Sequence, residues 1–308
     1  EMREALGIGA TNFTHYKIQL FDENQARAFL LKKGFSEGLP TWMSTRPLFL
    51  NYLISQNILP EAAQIELGTN MLAGSAWMKL FEMLATRESA QSEGIDKETI
   101  MNFLAVMATR ARQAASNKVF SPPEIDDIFY KLTGSYVSED ERRILARLPG
   151  LGVSPENFSN RMFIDDDLLN AAAAYHLYKF IVAPYEMTSG NEDLKSVGRA
   201  LSEIGTGVVS NLLEENHVSR QHIQASLNSV ARNGNDYTVY DIFCAQLYLG
   251  YASGSYNFMG LEIHELDLSS DAFDDVELRF NSCLIDNLIM PQSDTDLCKF
   301  EFRDCLVG

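Results

Sequence analysis

The sequence lacks long apolar runs, and it has few cysteines for its length. No uninterrupted apolar stretch reaches the roughly 18 residues that a membrane helix needs, and the first residues show no signal-peptide pattern, so we expect no membrane association. The four cysteines form no CxxC pair and no dense framework of the kind that stabilises small secreted domains. We therefore expect a reducing, cytoplasmic compartment.

Basic side chains are also scarce. The chain has 25 Lys and Arg residues against 42 Asp and Glu, which gives a formal net charge of −17. Residues 257–308 hold twelve acidic and three basic side chains, so about half of the excess lies there. A nucleic-acid backbone requires a basic face, and we therefore expect no nucleic-acid partner. The acidic tail could bind a basic protein or mimic nucleic acid, or its charges could simply keep an exposed sheet edge in solution.

Motifs for catalysis and metal binding are missing as well. No GxxxxGK[ST] segment is present, so this chain has no loop to cradle phosphates and no lysine to reach them. HExxH, HxH and CxxC are absent, and His217 and His222 are too far apart to share a helix face at the usual ligand spacing. Asp165, Asp166 and Asp167 are consecutive and fan out around a helix. The sequence predicts no catalytic residue, no metal ligand and no cofactor held by this chain alone.

What the chain does contain is a repeat at its carboxyl end. Phe258, Phe280 and Phe302 follow one another at intervals of 22 residues, and other positions keep the same interval: Leu261, Cys283 and Cys305; Ile263, Ile285 and Val307; Leu266 and Leu288; Leu268 and Met290; Leu278 and Phe300. Within each interval the apolar residues also recur every five positions. A fixed period of this size predicts a solenoid of stacked coils, with a plain β-meander as the alternative.

The five-residue spacing resembles that of pentapeptide-repeat proteins. The resemblance implies a narrow β-helix with large apolar side chains inside, although few of the usual small residues are present. We therefore predict a mainly α fold with a C-terminal β-solenoid: a multi-helical chain with a winged-helix domain, followed by a short right-handed β-helix of 22-residue coils.

Sequence patterns typical of helix starts occur at several positions in the rest of the chain. Asp22 with Gln25 and Ser138 with Glu141 have the spacing of a capping box, Asp96 can cap a further helix, and Ser121-Pro122-Pro123-Glu124 adds proline in the first turn. Later helices are predicted at Asp165 to Val182, near 192–204, 206–216 and 220–232, and from Val239 to Leu249. Gly205 to Gly207 indicates a break between two of them. We expect these short stacked helices to form a connecting arm with no buried charge.

Two stretches predict extended structure. His15 to Leu20 alternates polar and apolar residues, as a half-buried strand does. Val153 to Ile164 indicates two short extended pieces around a turn at Pro155–Asn160. Because this second stretch follows three predicted helices, the order is that of a winged helix.

Two further segments resemble a known family. RPLFLNYL, Arg46 to Leu53, resembles the segment that follows the nucleotide-binding core of NACHT-type signal-transducing NTPases. FIDDDLLNAAAAY, Phe163 to Tyr175, is similar to the end of their winged-helix domain. The resemblance implies the end of an NTPase core with a small helical domain at residues 1–60, a winged-helix-like domain at 61–165, a helical arm at 166–255 and a sensor at 256–308.

The same resemblance assigns nucleotide roles to three residues. Pro47 would lie against the adenine of a bound nucleotide and Arg46 would face its phosphates, although an exposed arginine at a helix start is the simpler interpretation. The family's winged-helix histidine falls at Asp165, where a carboxylate would repel phosphate oxygens. An aspartate before a long helix is also an ordinary N-cap.

The resemblance implies a non-catalytic regulatory portion of a NACHT-like NTPase, bacterial and acting in antiphage defence. The resemblance also implies that ATP or ADP with Mg²⁺ binds a core upstream of Glu1 in the same polypeptide, and that this polypeptide assembles into an oligomer on activation. We expect this chain to be a fragment of that polypeptide. The alternative is a stand-alone scaffold that binds a protein partner through its acidic coils.

Overall fold

The computed structural model describes residues 20–36, 38–55, 57–65, 73–91, 94–113, 119–148, 150–184, 189–232, 235–269, 273, 275–290 and 299–308. The chain divides into two compact units, Glu1–Ala63 and Gln64–Gly308. Nearly all of the strand predicted at His15 to Leu20 lies outside the described residues.

The first unit contains three described helices: α1 Glu23–Lys32, α2 Pro47–Ser55 and α3 Leu59–Ala63. The capping box predicted for α1 is confirmed, because Asp22 Oδ1 accepts from the Gln25 backbone N–H at 2.8 Å and Gln25 Oε1 accepts from the Asp22 backbone N–H at 3.1 Å. Helix α2 begins at Pro47, where the missing N–H costs nothing.

The second unit begins with helices and ends with strands. Its helices are α4 Ala73–Gln91, α5 Lys97–Ala111, α6 Pro122–Thr133, α7 Glu139–Leu145, α8 Asp166–Val182, α9 Glu203–Glu215, α10 Arg220–Ala231 and α11 Asp236–Tyr248, with a 3₁₀ turn at Ser189–Ser196. Helix α8 is apolar nearly all round and lies in the core. Its alanines, Ala171 to Ala174, are fully buried.

The helix break predicted at Gly205 to Gly207 is wrong, and so is the helix predicted near 192–204. These glycines lie inside α9, which begins at Glu203 after Ser202 caps its first turn. The packing explains the glycines, since a Cβ added to Gly74 of α4 would lie 2.6 Å from the backbone of Gly207. Two helices approach each other there more closely than side chains allow.

A short hairpin follows α7. Strands β1 Leu151–Val153 and β2 Arg161–Phe163 pair antiparallel, which confirms the two extended pieces that the sequence predicts. Phe120 forms an additional antiparallel bridge with Arg161. The hairpin is therefore tied to the segment that leads into α6.

Six strands among the described residues of the carboxyl end form two parallel three-stranded sheets. The strands are β3 Gly254–Met259, β4 Glu262–Asp267, β5 Val276–Asn281, β6 Leu284–Ile289, β7 Phe300–Arg303 and β8 Leu306–Val307. One sheet has the order β3-β5-β7 and the other β4-β6-β8. Phe258 pairs with Phe280 and Phe280 with Phe302, so the predicted interval of 22 residues is the register of the strands.

The predicted fold class, a mainly α chain with a winged-helix domain that ends in a right-handed β-helix, is nevertheless wrong. Strands account for only 15% of the described residues, and the small parallel and antiparallel sheets that these residues form make no solenoid. The third strand of each sheet is short, because β7 has four residues and β8 has two. The described strands therefore form too few complete coils to give a solenoid a core of its own. The alternative of a plain β-meander is excluded by the parallel pairing.

The apolar face of the first sheet packs on helix α11 instead. The ring of Phe258 meets Tyr240 edge-on at 5.3 Å between centroids and lies 5.4 Å from Phe243. Tyr256 lies 4.5 Å from Phe243, and its hydroxyl group donates to Gln246 Oε1 at 3.2 Å. The sheet and the helix thus share one aromatic core.

Candidate functional site: a mixed-charge cleft beside a buried ion pair

Arg46 and Pro47 lie together at the start of α2 in the first unit. The backbone N–H of Arg46 donates to the Ser44 hydroxyl group at 3.3 Å, and its carbonyl oxygen accepts from the Leu50 N–H at 2.9 Å. Arg46 is therefore the residue at the helix boundary, with its side chain half-buried. The nucleotide roles implied for these two residues stay predictions.

Asp165, in the second unit, is completely buried at the start of α8. Its carboxylate Oδ1 accepts from the backbone N–H groups of Asp167 and Leu168, each at 3.0 Å, which is the ordinary N-cap that the sequence also indicated. A buried carboxylate already engaged with backbone donors does not fit a contact with a nucleotide phosphate.

A buried ion pair joins two distant parts of the second unit. Arg112, just after α5, donates from Nη2 to Asp241 Oδ2 at 2.5 Å, and the two side chains are only 1% and 2% exposed. Asp241 Oδ1 accepts from the Leu201 backbone N–H at 2.7 Å, and Arg112 Nη2 also donates to the Arg199 carbonyl oxygen at 2.7 Å. These bonds connect the end of helix α5, helix α11 and the loop before α9 at one point.

The expectation that the arm contains no buried charge is therefore wrong. Burial raises the pKa of the Asp241 carboxyl group, and the charge of Arg112 and the Leu201 N–H act in the opposite direction. Burial also lowers the pKa of the neighbouring His176 to about 4, with a contribution from the charge of Arg112. His176 Nδ1 lies 2.8 Å from the Thr109 hydroxyl group, so a neutral imidazole is held within the core.

Arg112 has more donors than the described residues satisfy. Its Nε and Nη1 atoms are buried and have no hydrogen-bond partner in the described part of the chain. An arginine carries five N–H donors in a fixed planar arrangement, and leaving buried donors without acceptors is unfavourable. Two of the three guanidinium nitrogens of Arg112 are therefore buried without an acceptor among the described residues, although its charge is paired with that of Asp241.

Above it lies a cleft of about 590 Å³ between the helices and the second parallel sheet. We call it the mixed-charge cleft, and define it by the charged residues that line it: Arg112, Asp166, Arg199, Glu262, His264 and Asp286. Arg112, Asp166 and Arg199 belong to the helical side. Glu262, His264 and Asp286 lie on β4 and β6, so the helical wall carries two basic groups and one carboxylate, and the sheet wall carries two carboxylates and a histidine.

The two walls also differ in burial. Arg199 is half-buried, and burial together with the charge of Arg112 lowers its pKa. On the sheet side, His264 Nδ1 lies 3.1 Å from Asp286 Oδ2, and both side chains are mostly exposed. The charged groups on the helical side are therefore more shielded from solvent than those on the sheet side.

A second cavity, of about 490 Å³, lies between α6 and α7. Its basic residues are already engaged: Arg142 donates to both carboxylate oxygens of Asp126, at 3.1 and 2.7 Å, and Arg143 to Glu139 at 2.7 Å. The mixed-charge cleft is the larger of these two cavities, and we take it as the candidate site.

No pattern in the sequence indicates this cleft. Its residues come from the end of α5, the start of α8, the loop before α9 and two strands, and none of them forms a local motif. The strongest signal was Asp241, a carboxylate within the apolar stretch of α11. Such a residue needs a buried, positively charged partner, but the sequence does not show which residue is that partner.

No cluster of three or more metal-ligating side chains occurs among the described residues. None of the described helices combines the length and apolarity required to cross a membrane. No family model matches this chain, and no curated protein matches it either.

Proposed function

We propose that this chain is a non-catalytic regulatory portion of a NACHT-like signalling NTPase, in which partner binding at the carboxyl-terminal sheets is passed to the helices that precede them. The nucleotide would bind an upstream core in the same polypeptide. A reducing, cytoplasmic location is part of the proposal, and the thiols of Cys244, Cys283 and Cys305, none of which forms a disulfide, support it.

The observation that carries this proposal is the continuous contact from sheet to helix to ion pair. Phe258 of β3 packs on Phe243 of α11, and Asp241 in the same helix is bonded to Arg112 at the end of α5. The backbone N–H of Met259 also donates to Asp236 at the start of α11, at 3.1 Å. A displacement of β3 would therefore act on α11 and, through one buried pair, on α5.

The proposal has a direct test in the coding sequence and in an assay. We expect a GxxxxGK[ST] motif within the few hundred residues encoded upstream of Glu1. The chain by itself, given ATP and Mg²⁺, should show no hydrolysis, whereas the longer polypeptide should. A start codon at Met2, or hydrolysis by this chain alone, would contradict the proposal.

A stand-alone scaffold for a basic protein is the second candidate, and one observation favours it. The outward positions of β4 and β6 carry the exposed carboxylates Glu262, Glu265, Asp267 and Asp286. Exposed carboxylates in this density attract a cationic partner at low ionic strength.

The two candidates differ in what lies upstream and in their response to salt. A scaffold needs no phosphate-binding core, and its complex with a lysine-rich peptide should weaken steeply as salt rises. Glu265→Gln combined with Asp267→Asn should weaken that complex, whereas Glu139→Gln on α7 should not. Unchanged binding by the double variant would contradict the scaffold hypothesis.

A further inference from the structure

The two edges of the carboxyl-terminal sheets differ in how they are covered. At the edge formed by β3 and β4, the backbone N–H of Met259 donates to the Asp236 carboxylate at 3.1 Å, and that of Glu262 donates to the Tyr237 hydroxyl group at 3.0 Å. The start of helix α11 therefore caps this edge. At the opposite edge, β7 and β8 have no neighbouring strand on their outer side among the described residues. We call this outer side of β7 and β8 the open edge.

Apolar side chains lose their cover toward the open edge. Ile263 and Ile285 are 4% and 0% exposed, whereas Val307, at the equivalent position one interval later, is 50% exposed. Phe280 is completely buried, whereas Phe302 is half-buried. An unpaired strand beside uncovered apolar side chains is a template on which another strand can pair.

The backbone of β7 presents hydrogen-bonding groups at this edge. In a parallel pair, alternate residues direct their N–H and C=O groups toward the neighbouring strand. The Ser282 N–H donates to the Arg303 carbonyl oxygen at 2.9 Å, so Arg303 and Glu301 are the residues of β7 that face β5. The backbone groups of Phe300 and Phe302 therefore point outward, where the described part of the chain provides no strand for them.

The short sequence of β7 is complementary to itself in the antiparallel direction. If two copies pair with Phe302 opposite Phe302, the outward backbone groups of this residue form both hydrogen bonds of a hydrogen-bonded pair. Glu301 of each copy then lies opposite Arg303 of the other, so unlike charges meet at both positions. Within one chain these two side chains already form a pair at 2.5 Å and remain 42% and 66% exposed. The contacts between copies therefore fix the register more than they add affinity.

The inner face of β7 fits the same arrangement. The rings of Phe280 and Phe302 are nearly parallel, with centroids 5.3 Å apart. The Cα atoms of a hydrogen-bonded antiparallel pair lie about 5.5 Å apart. Phe302 of a second copy would therefore continue the ring stack at nearly the same spacing and cover the apolar end that one chain leaves half-buried.

From these observations we propose that the open edge binds a second copy of this chain, as an antiparallel β7 pair centred on Phe302. The pairing is isologous, so it occupies the open edge of both copies and closes at a dimer. Because α11 caps the β3 edge, copies cannot add there head to tail. This proposal is separate from the proposed function, since it requires neither an upstream nucleotide-binding core nor a basic partner.

Sedimentation velocity of the complete chain tests the proposal. We expect a reversible monomer–dimer equilibrium between about 5 and about 500 µM protein, with a Kd on the order of tens of micromolar, because the interface is small. Hydrogen exchange adds a local measurement. The Phe302 amide should exchange more slowly as the protein concentration rises, whereas the Met259 amide, bonded to Asp236 within the chain, should not change.

Charge variants test the register of the pair. Arg303→Glu places a carboxylate opposite Glu301 of the second copy at two symmetric positions, and dimerisation should weaken about tenfold or more. Glu301→Arg should weaken it similarly, although this change reduces the net negative charge and would favour non-specific association. Arg27→Glu, at an exposed position of α1, changes the net charge as much as Arg303→Glu and is the control that should leave dimerisation nearly unchanged.

An equimolar mixture of the two β7 variants provides the sharpest test. Each strand of the Arg303→Glu chain then faces a strand of the Glu301→Arg chain, unlike charges meet again, and the mixture should dimerise about as tightly as the wild type. Thermal melting of each variant alone establishes that the fold is retained.

Three results would overturn the proposal. A chain that remains monomeric at about 500 µM would leave the open edge to a strand of another protein. Dimerisation that is unchanged in both single variants would mean that the copies meet at a different surface. A mixture that dimerises no better than either variant alone would exclude the antiparallel register centred on Phe302.

Discussion

Arg112 and Asp241 form an ion pair that is almost completely shielded from solvent, although 129 residues separate them in the chain. The pair fixes the end of α5 to the middle of α11. Two charges in a core are expensive to desolvate, and their attraction offsets that cost only where the geometry is good and further hydrogen bonds are made. Here the Leu201 N–H and the Arg199 carbonyl oxygen supply those further bonds.

Removing one member of this pair should destabilise the second unit strongly. Asp241→Asn leaves the guanidinium charge of Arg112 buried without a counter-charge, and we expect a loss of about 3–5 kcal/mol in the free energy of unfolding. Urea denaturation monitored by circular dichroism measures it. The double variant Arg112→Met with Asp241→Leu should recover much of the loss, because no charge then remains in the core.

Arg143→Ala is the control for the single variant, since its pair with Glu139 is 64% and 78% exposed and should contribute almost nothing measurable. A cost for Asp241→Asn no larger than that of Arg143→Ala would show that the buried pair has no stabilising role.

His176 should make stability depend on pH. Its pKa is about 4 in the folded protein and near 6.5 in the unfolded chain. Between these two pH values the unfolded chain binds a proton at this histidine and the folded chain does not. The stability contributed by the neutral imidazole is complete above pH 6.5, decreases as the pH falls, and levels off below about pH 4. The full effect is roughly 3 kcal/mol at most.

The measurement compares wild type with His176→Gln by urea denaturation from pH 7.5 to pH 4.5. Glutamine keeps a group that can bond to the Thr109 hydroxyl, but it does not titrate. The stability difference between the two proteins should therefore shift in favour of the variant as the pH falls. Parallel pH profiles would contradict the expected titration of His176.

Phe280 should be the most sensitive position in the carboxyl-terminal sheets. It is completely buried, with ring centroids 5.5 Å from Phe258 and 5.3 Å from Phe302. Phe280→Ala removes a large side chain from between these two rings, and we expect a cost of about 3–5 kcal/mol. Hydrogen exchange of the β5 amides should accelerate, whereas Arg279→Ala, an exposed neighbour in the same strand, should have little effect. Unchanged exchange in Phe280→Ala would show that the ring does not anchor the sheet.

The sequence predicts those parts of this fold that depend on neighbours within a few residues. Asp22 with Gln25 and Ser138 with Glu141 are capping boxes in the structure, because all of their bonding groups lie within four positions. The 22-residue interval likewise predicts which strand residues pair, since the pairing repeats the period of the sequence.

What depends on distant packing was not predictable in the same way. The interval does not reveal that the third strand of each sheet is short, or that the apolar face of the first sheet packs on α11. For these reasons the solenoid prediction is wrong. Gly207 has a poor intrinsic preference for helix and suggested a break, but a close approach to Gly74 overrides that preference. The cleft combines five chain segments, and no local pattern indicates that Arg199 and Asp286 line the same cavity.

The contact between Gly74 and Gly207 predicts an asymmetric response to alanine. A Cβ on Gly74 would lie 2.6 Å from the backbone of Gly207 and Val208, whereas a Cβ on Gly207 would lie 3.7 Å from Gly74, an ordinary contact. Gly74→Ala should therefore destabilise by about 1–3 kcal/mol through overpacking. Gly207→Ala should be neutral or stabilise α9 by up to about 1 kcal/mol. Thermal melting measures both, and similar effects of the two substitutions would contradict the proposed helix approach.

The turns that connect a strand of one parallel sheet to a strand of the other lead to a last, related prediction. Gly260, Ser282 and Asp304 occupy equivalent positions one interval apart, and all three have positive φ, at 65°, 54° and 53°. A side chain in this left-handed conformation costs roughly 1–2 kcal/mol, and glycine avoids that cost while losing more entropy on folding. Ser282→Gly should therefore raise the free energy of unfolding by up to about 1 kcal/mol, and Gly260→Ala should lower it by about the same amount.

Ser282→Ala is the control that separates backbone strain from the loss of the hydroxyl group. It keeps the Cβ and therefore the strain, so it should not stabilise the protein. A Cβ on Gly260 meets no atom within 4 Å, so any cost of Gly260→Ala comes from the backbone conformation and not from a clash. Urea denaturation of the three variants measures these differences. If Ser282→Ala stabilised as much as Ser282→Gly, the left-handed turn would not be the source of the effect.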